Sequence, residues 1–173
     1  MIRNLHKRII VSALSSLVLL VGGGPGSAQA ATTMATVDAQ ISGSLSVSTT
    51  AGLAFGGMTS GPLGGTVVVN ANGVRFATGG VNLNTASVTS PALITIIGKP
   101  NATFAVALPA TVQLSDGGGN TMTVGNFMSV PSGTGQLDSS GQQVVSIGGT
   151  LTVGANQVFG SYRGVMAVVI NYN

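Results

Sequence analysis

A chain of 173 residues, 44% hydrophobic and only 5% charged, is long enough for one core and too apolar for intrinsic disorder, which needs low hydrophobicity with high charge. It has no cysteine and no tryptophan, so a core must hold by apolar burial without disulfides. The formal net charge of +3 gathers at the start, where Arg3, Lys7 and Arg8 supply half of the six basic residues.

Residues 1–30 read as a secretory signal peptide. The basic start is followed by an apolar run from Ile9 to Val21, a Gly-rich break at Gly22 to Gly26, and the small-x-small site Ala28-Gln29-Ala30. The apolar run is short of the roughly twenty residues a membrane-spanning helix requires, so no stable span is expected after cleavage. Removal would leave 143 residues with three basic residues (Arg75, Lys99, Arg163) and three acids (Asp38, Asp116, Asp138), a formal charge of zero. No basic patch remains to neutralise phosphates, which excludes nucleic acid as a partner. The expected destination is the periplasm, then the cell surface or an extracellular filament.

Residues 35–48 carry the cleanest pattern. Ala35, Val37, Ala39, Ile41, Gly43, Leu45 and Val47 take the odd positions, and polar residues from Thr36 to Ser48 take the even ones. This period of two is that of a β-strand, because successive side chains leave opposite faces of the pleat. Fourteen residues exceed the usual strand of about five or six. The stretch is either one long first strand or an N-terminal extension, residues 31–43, ahead of a domain spanning 44–173.

Short apolar runs separated by turn residues follow, at the spacing of an all-β sandwich. Leu53 to Phe55 ends at Gly56-Gly57. Thr66 to Asn70 and Val74 to Thr78 flank Asn72-Gly73, a hairpin signal because both residues tolerate positive φ. Ala92 to Ile97 and Thr103 to Leu108 flank Gly98-Lys99-Pro100-Asn101, a second expected hairpin. Val112 to Leu114 and Met122 to Val124 flank Asp116 to Asn120, a third. Pro131 to Gln143 reads as a Ser/Gly-rich loop, and Val144 to Ile147 and Thr150 to Val153 as two short strands. No stretch after residue 30 keeps a 3.6-residue period over three turns.

The last fourteen residues alternate again. Gly160, Tyr162, Gly164, Met166, Val168, Ile170 and Tyr172 interleave with Arg163, Val165, Ala167, Val169 and Asn171. Apolar residues on both faces predict a strand deep in the sandwich whose free edge needs a partner.

Catalytic constellations are scarce. Nucleophilic catalysis of the Ser-His-Asp or Cys-His kind needs a base tuned near neutral pH, and the only histidine, His6, lies in the signal segment. Asp38, Asp116 and Asp138 sit in polar or Gly/Ser-rich contexts that suit turns and solvated faces rather than a glycosidase pair. Asp116 and Asn120 lack the spacing of a calcium loop, and Gly117 to Gly119 lacks the Lys-Ser/Thr of a phosphate loop. The reading is a non-enzyme without cofactor or metal.

Two resemblances bear on function. Phe55-Gly56, Pro91-Ala92, Gly98-Lys99-Pro100, Thr121-Met122-Thr123-Val124, the run I-G-G-T-L-T-V-G-A-N-Q from Ile147 to Gln157, and G-x-Y-x-G from Gly160 to Gly164 resemble a family of secreted bacterial all-β domains of unknown function. That resemblance implies an exported β-sandwich and no activity. The terminus resembles subunits of chaperone–usher fimbriae, which have a penultimate tyrosine (here Tyr172) and a glycine fourteen places from the end (here Gly160). The fimbrial cysteine pair is absent.

The fimbrial resemblance implies a single antiparallel immunoglobulin-like β-sandwich, incomplete until a donated strand fills it. The donor strand would be Ala35 to Val47, and the acceptor and chaperone-recognition strand Gly160 to Tyr172. The expected partners are other copies or related subunits, a periplasmic chaperone and an outer-membrane usher. The expected function is a structural subunit of a surface filament, with a role in adhesion. The alternative is a self-contained secreted sandwich that binds a glycan or protein.

Overall fold

Glycine and β-branched residues, abundant here, disfavour helix, and alternation of apolar and polar positions selects strands. A computed structural model describes residues 44–173, and these contain ten strands and no helix. In chain order they are β1 (Ser46–Ala51), β2 (Met58–Val69), β3 (Arg75–Leu83), β4 (Ala92–Ile97), β5 (Thr103–Ala107), β6 (Thr111–Ser115), β7 (Thr121–Val130), β8 (Thr134–Gln136), β9 (Gln142–Val153) and β10 (Val169–Tyr172). They form two antiparallel sheets packed together in a sandwich-like arrangement, the expected fold class.

The larger sheet has seven strands in the order β1-β4-β9-β2-β3, with β7 also on β9 and β6 on β7; the smaller is β10-β5-β8. The axis of the larger sheet is β9, which pairs with β7 on one side and with β4, then β2, on the other. Val145, Ile147, Leu151 and Val153 point inward from it and are buried. Sequence reading splits this strand at Gly148-Gly149, but the inward period runs straight through. A Cβ on Gly149 would lie 3.0 Å from the Phe127 ring, so the aromatic ring fills the space that the glycine leaves.

The core has two clusters. One gathers Phe55, Val67, Val69, Val81, Val124, Leu151 and Val153. The other gathers Ala92, Ile94, Ile96, Phe104, Leu137, Val145 and Ile147, with Phe104 and Leu137 facing β4 and β9 from the side of the smaller sheet. Leu53 and Phe127 pack against both. Full burial of a side chain of this size contributes roughly 1.5–3 kcal/mol, so these clusters and not the polar surface hold the fold.

Two expected hairpins form. β2 and β3 meet at Val69 and Arg75 around Gly73, whose φ is 83°, while Asn70 Oδ1 accepts the amides of Asn72 and Val74. β6 and β7 meet at Ser115 and Thr121.

The hairpin expected at Gly98-Lys99-Pro100-Asn101 does not form: β4 and β5 belong to different sheets, and Gly98–Asn101 is a crossover. Its backbone is satisfied from elsewhere. The Gly98 amide donates to Gly141 O (2.8 Å), the Asn101 amide to Asp138 O (3.1 Å), and Leu137 N–H to Ala102 O (2.9 Å). Pro100 has no amide to offer a hairpin ladder. The Ser/Gly-rich stretch that binds this crossover also holds β8, which the sequence shows only as loop.

Candidate functional site

β1 forms one lip of a groove. Its register on β4 sets Val47 opposite Ile96 and Thr49 opposite Ile94, and opposite residues of an antiparallel pair share a face. Ile96 is fully buried, yet Val47 on that same face is 47% exposed. Cover from the smaller sheet therefore ends before it reaches β1.

Gly160–Val168 forms the other lip, and the floor is apolar: Ile94, Val112, Leu114, Val124, Phe127 and Leu151. The groove holds about 1230 Å³.

The second lip departs from expectation. The sequence predicts one strand from Gly160 deep in the sandwich, but only Val169–Tyr172 forms a ladder, with Phe104 to Ala107 of β5. Upstream, Arg163 makes a single two-bond bridge to Ser115 at the end of β6. The side-chain period itself holds. Tyr162, Met166, Val168, Ile170 and Tyr172 are half-buried, while Arg163, Val165, Ala167, Val169 and Asn171 are exposed, Val165 at 90%. Gly164 is exposed as well; a Cβ there would lie 2.5 Å from Gln113 O and 2.8 Å from Leu114 Cδ2, so only glycine passes the β6 edge at this distance. Among the described residues, Gly164–Val168 has no backbone hydrogen-bond partner. Two faces were expected inside; one is, because among the described residues no layer covers the face of Arg163, Val165, Ala167, Val169 and Asn171, even where β5 pairs the backbone.

The segment is fastened at both ends. The Tyr162 hydroxyl donates to Val158 O (2.8 Å) and accepts from Gln157 Nε2 (2.9 Å). The Gln157 amide donates to Ser60 Oγ (2.6 Å) and the Asn156 amide to Gly61 O (2.9 Å), with Asn156 at φ 48°. The V-G-A-N-Q run is thus a turn that bolts the departure from β9 onto β2. At the far end, Tyr172 Oη accepts the Lys99 amide at 2.9 Å. Sequence reading singled out these residues by resemblance and gave no role to Gln157.

Of the donor-strand candidates, Ala35, Val37, Ala39, Ile41 and Gly43 lie outside the described residues. Leu45 packs against the second core cluster, and Val47 belongs to β1. The groove-lining residues Leu53, Met122 and Phe127 carry no site role in the sequence, although Met122 and Val124 alternate with threonine.

Asp116 and Asp138 build turns. Asp116 takes the Asn120 side-chain amide on Oδ2 (2.6 Å) and the Gly118 and Asn120 amides on Oδ1. Asp138 Oδ1 takes the Ser140 hydroxyl (2.6 Å) and the amides of Ser140 and Gln142. These bonds favour the ionised form, led by Asn120 for Asp116 and Ser140 for Asp138, and hold both carboxyls below the ordinary value of 3.8. Among the described residues no three His, Cys, Asp or Glu side chains cluster as metal ligands, and no helix is long and apolar enough to cross a membrane.

Fold and groove together define a class: an all-β sandwich-like domain whose two sheets gape over an apolar floor. The chain belongs to the family described as "Domain of unknown function (DUF4402)", whose model matches residues 45–172. Comparison with curated proteins finds no match, and comparison with solved structures finds none.

Proposed function

We propose that this protein is a structural subunit of a bacterial surface filament, assembled by β-strand donation. One observation carries the reading. The lip Gly164–Val168 turns alternate side chains inward over an apolar groove, while its backbone has no partner among the described residues. An extended strand laid beside it would meet main-chain groups for affinity and pockets at every second residue for specificity, which is β-augmentation.

The occupant favoured by the sequence is the alternating stretch from Ala35 to Gly43 of another copy or a related subunit. A large apolar side chain buried there contributes roughly 1.5–3 kcal/mol. Each backbone bond adds roughly 0.5–1.5 kcal/mol. Association costs roughly 4–15 kcal/mol, so donation succeeds only if most of the strand docks, and the unbroken alternation is what permits that. At about 1230 Å³ the groove also exceeds the roughly 300–1,000 Å³ of small-molecule sites, which favours a polypeptide over a small glycan.

The route this implies is export, capture by a periplasmic chaperone, and assembly through an outer-membrane usher into a filament that serves adhesion. The test is Ile41→Asp in the exported full-length chain, viewed by negative-stain electron microscopy. Filaments should vanish while thermal unfolding of the body stays unchanged; filaments of normal number and length would contradict the donor role.

A further inference from the structure

A donated strand would tie consecutive subunits by a very short tether, since only Ser44 and Leu45 separate Gly43 from the first residue of β1. At about 3.3 Å per residue the end of the donor and the start of its own body are no more than roughly 10 Å apart, so neighbouring bodies must touch.

Direction decides which surfaces meet. All eight strand pairings in the fold are antiparallel. The open lip runs from the Tyr162 end, where Gln157 meets Ser60, to the Tyr172 end, where the hydroxyl meets Lys99. A strand antiparallel to this lip leaves the groove at the Tyr162 end. Val158, whose carbonyl takes the Tyr162 hydroxyl, and Phe159 line the groove there, both exposed, Phe159 at 86%. The donating body begins at Ser46, opposite Ile97, and beside that corner Ile97 and Val144 share the outer face of the larger sheet, both exposed.

We propose a second, body-to-body contact between copies, in which Val158 and Phe159 of the accepting copy seat against Ile97 and Val144 of the donating copy. The proposal rests on the strand-donation reading and adds to it. Two different patches at opposite ends form a heterologous contact, which propagates as an open filament instead of closing into a dimer. Donation alone joins bodies by a tether; this contact makes the joint stiff.

The test uses filaments of the full-length chain carrying either Ile97→Asp or Val144→Asp, each of which places a charge in the donating patch and leaves the tether unchanged. Neither residue lines the groove. Filaments should still form, with a persistence length in negative-stain images shorter by about threefold or more. Should one variant fail to fold, as read by thermal unfolding, the other decides. Filaments of parental stiffness from a folded variant overturn the contact and leave donation standing. A parent chain that forms no filaments overturns donation and the contact with it.

Discussion

β9 and the segment from Tyr162 to Tyr172 have the same sequence period and different fates. Val145, Ile147, Leu151 and Val153 of β9 are buried because strands flank it on both sides and a second layer covers it. Met166, Val168 and Ile170 also point inward, yet remain half-buried beside a single four-residue ladder. A period of two fixes which side chains share a face. Whether that face is covered, and whether the backbone is paired, depends on elements far away in sequence. The difference between the two regions is the physical content of the proposed acceptor site.

The comparison yields tests of decreasing size. Leu151→Ala, in the middle of β9, should cost about 2–5 kcal/mol in denaturant unfolding, because a fully buried side chain leaves a cavity. Gly164→Val should cost about 1–3 kcal/mol by forcing a side chain onto Gln113 O and Leu114, and should also displace the open lip. Tyr172→Phe removes one acceptor from the Lys99 amide and should cost about 0.5–1.5 kcal/mol. Val165→Ala, on the exposed face of the same lip, should change stability by less than about 0.5 kcal/mol. A cost for Val165→Ala comparable to that of Leu151→Ala would mean the two regions are equally covered.

A pH series probes the turns that brace this frame. The folded-state carboxyls of Asp116 and Asp138 titrate below the ordinary value of 3.8, so their contribution is present above that pH and is lost as pH falls through the folded values. Stability against heat should therefore fall below about pH 4, and Asp138→Asn should flatten that acid limb, read as melting temperature against pH. The Asp138 turn supports the crossover from β4 to β5, so this effect reports on the smaller sheet.

Local chemistry made part of the fold legible. Asn72-Gly73 and Asp116 to Asn120 announced their hairpins because the turn residues satisfy their own backbone. Gly98-Lys99-Pro100-Asn101 has similar composition but joins two sheets, since its Gly98 and Asn101 amides donate to Gly141 O and Asp138 O and its Lys99 amide to Tyr172 Oη, distant partners that composition does not reveal. β9 was legible in retrospect: Val145, Ile147, Gly149, Leu151 and Val153 keep one period once Gly149 is counted as an inward residue. At the candidate site, the facing of Tyr162 to Tyr172 was legible and its pairing was not. Val47 shows the same limit, being an inward position of β1 that the second sheet does not reach.

The central claim is that Gly164–Val168 accepts a strand of the Ala35–Gly43 type. Hydrogen exchange at the amides of Gly164–Val168, measured on the monomeric chain with and without a synthetic peptide of residues 35–43, tests it directly. The account predicts fast exchange in the monomer, strong protection on adding the peptide, and none on adding the same peptide with Ile41→Asp. Equal exchange with and without the parent peptide would contradict it.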